Sequence, residues 1–354
     1  MITIVTTTIR VPNFLEGYQK NIERYGHTAV DFIVVGDAKS QPAIAAFCKT
    51  LPNCTYLDIC AQEKYMEKFS ELGAHLPFNS IERRNVGMLM AYENGAEVVI
   101  TLDDDNYATE HDVVGSHGVV GSSSLMTTYE STSGWFNVCK FLHEENDVEF
   151  YHRGYPAAQR WKDGRESSQI ASHKVVVNAG LWTDNPDVDA ITRLERELFV
   201  VGYKGCEDVS FALAPGTWSP FNCQNTAIAR EVIPSYFLSP YVGRHSDILA
   251  SYVVNRLAEY FGHVIAFGNP LARHTRTPHD LWKDMDIERE GMLMTDSFCR
   301  ILREVKLTAT TYHEGFGQVI EGLSSWATSK TQRRMITGMS LWHKVFNKVL
   351  GSEV

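Results

Sequence analysis

Short β-branched runs alternate with helix-like stretches through the first hundred residues, and this order limits the fold more than any other feature. Ile2–Thr7, Phe32–Val35 and Glu97–Leu102 are compact runs of the kind buried in parallel sheets. Between them, Gln41–Cys48, Glu63–Leu72 and Ser80–Asn94 read as helices. The last places Ile81, Asn85, Met88 and Tyr92 at spacings of three and four, the helical period. A βαβα order predicts an α/β fold with a mostly parallel, Rossmann-type sheet and helices on its faces. The 354 residues are 44 % apolar, enough for a full core. At roughly 150 residues per domain, the length suits one large domain or two coupled ones.

Composition narrows the partners. Lys and Arg total 33 against 43 Asp and Glu, a net charge of −10, so nothing draws the chain to nucleic acid as a whole. A small anionic ligand feels only local charge and stays open. Seven cysteines lie scattered without CxxC or Cys/His spacing, which argues against a disulfide framework or a structural zinc. Met1–Thr8 has no positive leader region, and no window holds 18 consecutive apolar residues, so the expectation is a reduced, cytoplasmic chain.

Residues 114–134, rich in Gly, Ser and Thr, read as a loop or mobile flap. Ser246-Asp247 reads as an N-cap pair opening a helix to about Phe261, and beyond His279 the chain reads as mostly helical. The expected division is a first half over 1–110 ending in the acidic triplet, a second half of the same domain over 111–280, and a helical extension over 281–354. In that extension Lys330, Arg333, Arg334, Lys344 and Lys348 interleave with Met335, Ile336, Leu341, Trp342, Val345, Phe346 and Leu350. Such a basic amphipathic helix packs on the body or lies at an anionic membrane face over about 330–350.

Neither GxGxxG nor GxxxxGK[ST] is present, so dinucleotide and P-loop readings fail. Instead Asp103-Asp104-Asp105 directly follows the apolar strand Val98-Val99-Ile100. Ligands of open α/β sheets collect at the carboxyl ends of strands. Alternation points Asp103 and Asp105 the same way, where they repel unless a hard cation such as Mg²⁺ or Mn²⁺ sits between them. That cation would bind a diphosphate. About 20 residues earlier, Glu82-Arg83-Arg84-Asn85-Val86-Gly87 offers an Arg fork suited to the same group. Strand, helix with Arg-Asn-x-Gly, strand and acidic turn together resemble the A-type (GT-A) glycosyltransferase plan.

Further blocks resemble the reversibly glycosylated polypeptide family, which includes the UDP-arabinopyranose mutases. Thr8-Ile9-Arg10 with Phe14-Leu15-Glu16, the acidic triplet, Arg153-Gly154-Tyr155-Pro156 with Arg160, Gly180-Leu181-Trp182 with Asn185-Pro186-Asp187 and Asp189, Asn225, Gly243-Arg244 with Asp247, and His274 follow in the family's order. The family's Phe-Ser-Leu before the Arg is Ala157-Ala158-Gln159 here, and residues 281–354 do not match. The resemblance implies Asp103, Asp105 and His274 as metal ligands. It implies Thr8, Arg10, Asp37, Arg84, Asp103 and Asp104 as nucleotide contacts, and Trp182, Asp189 and Asn225 as sugar or acceptor contacts. Arg160, Asp187 and Asp247 are the catalytic candidates: Arg160 as a diphosphate clamp or sugar carrier, and Asp247 as general base of an inverting reaction. The expected activity is Mn²⁺- or Mg²⁺-dependent transfer from a nucleotide diphosphate sugar, UDP-linked, to a separate acceptor. Ring isomerisation of the sugar, as in the mutases, is the alternative, and a non-catalytic scaffold the third reading. Self-assembly into a homo-oligomer is left open.

Overall fold

The computed structural model describes residues 1–162, 164–205 and 210–351. The first part runs β1 (Ile2–Thr7), α1 (Phe14–Arg24), β2 (Val30–Val35), α2 (Ala43–Cys48), β3 (Cys54–Leu57), α3 (Ile59–Met66), α4 (Ser70–His75), α5 (Arg84–Glu93), β4 (Val98–Leu102), β5 (Asn106–Ala108) and α6 (Val113–His117). The second part runs β6 (Ser123–Ser131), β7 (Leu142–Glu144), β8 (Glu166–Asp184), α7 (Ala190–Glu195), β9 (Val200–Tyr203), β10 (Phe211–Leu213), β11 (Asn225–Ala229), α8 (Ser246–Phe261) and β12 (Val264–His274). Three long helices close the chain: α9 (Leu281–Glu304), α10 (Tyr312–Leu323) and α11 (Lys330–Gly351).

The expected α/β fold is present. Strands β3, β2, β1 and β4 are parallel neighbours, and β11, β8, β6, β10, β12 and β5 extend the same sheet with mixed directions. Ile4, Val5, Phe32, Ile33, Val99 and Ile100 are all buried, since helices cover both faces here. Gly87 lets α5 lie close on the sheet, because a Cβ there would stand 2.6 Å from Val5 Cγ1 and 2.8 Å from Val35 Cγ2. Strand β12 runs parallel to β8, with Asn269 and Leu271 standing outside the paired register.

Two expectations are corrected. The 114–134 stretch is no flap: it forms the end of α6 and then β6, which pairs antiparallel with β8 over nine positions. Ser246-Asp247 does not cap α8; the N-cap is His245 and makes no side-chain cap bond. Of the two readings of the basic C-terminal helix, packing on the body agrees with the structure: the apolar face of α11 is turned inward. Met335, Met339, Trp342 and Phe346 are buried, with Trp342 on Phe237 at 5.5 Å and Phe346 on Tyr92 at 4.9 Å between ring centroids. Its lysines fasten the helix to the body, Lys344 to Glu71 at 2.8 Å and Lys348 to the Lys68 carbonyl at 2.9 Å. Among the described residues no helix is long and apolar enough to cross a membrane. The six described cysteines are free thiols, and Cys206 lies outside the described residues.

Candidate active site

The carboxyl ends of β1, β2 and β4 open onto one cavity of about 310 Å³, lined by Thr7, Thr8, Asp37, Ser80, Arg84 and the acidic triplet, among others. Asp37 closes one end. Its Oδ1 accepts from the Asn79 amide at 2.5 Å and its Oδ2 from the Ser80 amide at 2.9 Å, pinning the loop before α5 against β2. Thr8 Oγ1 donates to Asp104 Oδ2 at 2.8 Å and accepts from the Arg10 amide at 3.0 Å. The Arg10 side chain lies on the surface and does not line the cavity.

Arg84 is not the free diphosphate fork that its helix position suggested. It is 1 % exposed and forms the cavity floor. Its Nη2 donates to Asp103 Oδ1, to Thr7 Oγ1 at 3.2 Å and to the Leu102 carbonyl at 3.0 Å; its Nη1 donates to the Cys223 carbonyl at 2.9 Å. Asp103 is thereby neutralised from beneath. Burial nevertheless lifts its pKa above the ordinary carboxylate value, with Arg84 opposing and Asp105 adding to the rise. Burial likewise raises Asp104, against the bond from Thr8.

Asp105 and His274 are brought together from β4's acidic turn and the end of β12, with Nε2 3.5 Å from Oδ2. His274 Nδ1 stands 2.6 Å from the Asn185 carbonyl oxygen, which can only accept, so Nδ1 carries a proton. Nε2 then presents either a second proton or a lone pair to a carboxylate. Burial lowers the His274 pKa, but the Asp105 carboxylate more than reverses this, and the same contact pulls Asp105 down against its own burial. A ring whose far nitrogen is fixed by a carbonyl and whose near nitrogen faces a carboxylate has the donor arrangement of a metal-ligating histidine. This pair therefore fits a divalent cation. Asp103, turned to Arg84, does not join it, and no group of three His, Cys, Asp or Glu is assembled among the described residues.

Asp187 and Asp247 are placed as structural carboxylates rather than as an acid or base. Both grip Arg153: Nε to Asp187 Oδ1 at 2.9 Å, Nη2 to Asp187 Oδ2 at 3.0 Å, Nη1 to Asp247 Oδ1 at 3.1 Å and Nη2 to Asp247 Oδ2 at 3.0 Å. Burial would raise both, but Arg153 holds each below the ordinary carboxylate range, which removes proton affinity from Asp247. Arg160 pairs with Asp189, which also caps α7 by accepting from the Thr192 amide at 2.8 Å. Asp189 is 0 % exposed, so it meets Arg160 rather than a sugar. Trp182 offers no face to a sugar either: it is 1 % exposed and packs on His152. Asn225 is buried between the His117 ring at 3.1 Å and the Leu181 carbonyl at 3.3 Å. The Arg153 clamp, the Asn79–Ser80 loop and the Asn185 carbonyl were missed as site-forming features. Only the Arg-Gly-Tyr-Pro block carried any signal for the first.

No protein-family profile matches the chain. UDP-arabinopyranose mutase 1 of Arabidopsis thaliana is 22 % identical over 315 residues, covering 86 % of this chain and 79 % of the relative. UDP-arabinopyranose mutase 3 of the same plant is 23 % identical over 279 residues, covering 77 % and 70 %. Among solved structures, glucosyl-3-phosphoglycerate synthase from Mycobacterium tuberculosis is 14 % identical, with a TM-score of 0.45 over 85 % of this chain and 80 % of that one. The blocks from Thr8 to His274 and these sequence matches agree: over most of its length the chain is similar, at low identity, to UDP-arabinopyranose mutases.

Proposed function

We propose that the protein is a divalent-metal-dependent glycosyltransferase that takes a UDP-sugar and passes the sugar to a separate acceptor. The observation that carries this reading is the Asp105–His274 pair beside the acid-lined cavity at the strand ends. The cavity volume lies at the lower edge of the roughly 300–1,000 Å³ usual for ligand pockets. The names of the sequence relatives support a UDP-linked donor. Mn²⁺ or Mg²⁺ would be held by Asp105 and His274, and when bound it supplies positive charge to a departing diphosphate. The chain's own contribution is orientation. Arg84 keeps Asp103 fixed at the floor, and Asp37 holds the 79–80 loop over the nucleoside end of the cavity.

A thermal-shift titration with UDP, with and without Mn²⁺, tests the proposal. At ligand near 100 Kd the gain is about 2.7 kcal/mol. Asp105→Asn is expected to lose the Mn²⁺-dependent part and keep the rest. Absence of any shift with UDP plus Mn²⁺ in the wild-type protein would overturn it. Ring isomerisation stays the second reading, because the same relatives carry the mutase name. Incubation with UDP-sugar alone separates the two, since only a mutase changes the ring size without an acceptor.

A further inference from the structure

The Asn185-Pro186 turn that fixes His274 also receives an arginine. Asn185 gives its carbonyl to His274 Nδ1, and the next carbonyl, of Pro186, accepts from Arg193 Nη2 on α7. Two residues past His274 stands Arg276, paired through Nη2 with Asp284 Oδ2 at 2.5 Å. Arg244 donates from Nε to Glu288 Oε1 at 2.9 Å, with its Nη1 4.0 Å from Asp284. Glu288 is further engaged by the Ala190 amide at 2.7 Å, and Asp284 by His279 at 3.2 Å. Arg244 and Arg276 thus share two carboxylates that already have other partners.

Arg193 is the one left over. Among the described residues it has no carboxylate within ion-pair distance, and its Nε is closed off from solvent without any hydrogen-bond partner. Burial pulls its pKa down and the Arg276 and Arg244 guanidiniums add to this, against Asp187 and Glu288, to about 10. Even a partly buried cation without a counter-charge is costly, and an anionic ligand would remove that cost. The group remains reachable, because the Arg244 side chain is 31 % exposed and that of Arg276 11 %.

We infer that Arg193, Arg244 and Arg276 form a subsite for a phosphate monoester, the anionic end of the acceptor, next to the Asp105–His274 pair. Calling this ligand the acceptor rests on the transferase reading; the anion site itself does not. A phosphate monoester carries about two negative charges at neutral pH and accepts from several Arg forks at once, which a single carboxylate cannot match.

The test is calorimetric titration of the full chain with inorganic phosphate, and with acetate, each in the absence and presence of UDP plus Mn²⁺. The expected result is phosphate binding at least tenfold tighter than acetate, undiminished by UDP plus Mn²⁺. Arg193→Met and Arg276→Gln should each weaken it at least tenfold while leaving the UDP–Mn²⁺ thermal shift intact. Arg193→Lys, which keeps the charge and loses the fork, should fall between and guards against a folding defect in Arg193→Met. Phosphate affinity unchanged by these substitutions, or phosphate displaced by UDP, overturns the inference. Should UDP plus Mn²⁺ not bind while Arg193→Met still abolishes phosphate binding, the transferase reading fails and the anion site stands.

Discussion

Replacing Arg153 by methionine keeps much of its length and removes the single cation between two carboxylates whose side chains are 2 % and 4 % exposed. Four charge-assisted hydrogen bonds vanish together. Summing them at about 1.5–3 kcal/mol each overshoots, because the orphaned acids keep other donors. Asn222 Nδ2 still reaches Asp187 at 2.7 Å and the Ile248 amide still reaches Asp247 at 2.9 Å. Breaking a buried ion pair from one side costs about 3–5 kcal/mol, and that is the expected loss at pH 7.5 in urea unfolding. The pH dependence gives a second check. In the wild-type protein both folded pKa values are depressed, so their stabilisation is present above the unfolded value near 4 and is lost as pH falls through the folded values. In the variant the two acids lose their cation and take up protons more readily, so the gap to wild type should narrow toward pH 4. A loss below about 1 kcal/mol, or a gap that does not change with pH, would refute the clamp. Normal stability with activity abolished in Asp247→Asn would return that residue to the role of base.

Two buried histidines should make the fold sensitive to mild acid. Burial lowers His245 to about 3 and His117 to about 4 from the model-compound value of 6.5, so between pH 6.5 and 5 the unfolded chain gains protons that the folded chain refuses. Stability should then fall by about 2 kcal/mol per histidine on reaching pH 5, and an imidazole NMR titration showing either ring titrating near 6.5 contradicts this. Gly87→Ala should cost about 1–3 kcal/mol by overpacking α5 on Val5 and Val35, despite the better helix propensity of alanine; an unchanged urea midpoint would show that the helix simply shifts. Trp342→Ala removes a 0 % exposed indole from the α11 interface and should cost about 3–5 kcal/mol. A smaller loss would mean that α11 contributes little to holding the body together.

Three of the parallel strands, β1, β2 and β4, were legible because strands buried on both faces spell continuous apolar runs, and β1 begins and ends where its sequence run does; β3, with only Leu57 buried, was not. The acidic turn was legible for the same reason, since its position follows from the strand before it. Other elements hid. Helix α1, absent from the elements expected above, carries a stripe of Phe14, Leu15, Tyr18 and Ile22 in its short span between two turns. Strand β6 reads as a loop because only Met126 and Thr128 of its nine residues are buried, leaving little alternation to see. The fates of Asp187 and Asp247 could not be read locally. Their common partner lies 34 and 94 positions away, and a carboxylate's chemistry depends on the charge that reaches it through space. Trp182 looked like a sugar platform only while its strand's second face was imagined open.

The register shifts at Asn269 and Leu271 in β12 set the bearing of its last side chain. A strand advances about 3.3 Å per residue and turns each successive side chain to the opposite face. Excising either Asn269 or Leu271 while pairing held upstream would draw His274 back by one such step and aim its ring away from Asp105. The irregular stretch thus works like a shim, bringing a nitrogen from one end of the sheet level with an oxygen from another, and length changes there should be tolerated far less than in the exposed outer half of β8.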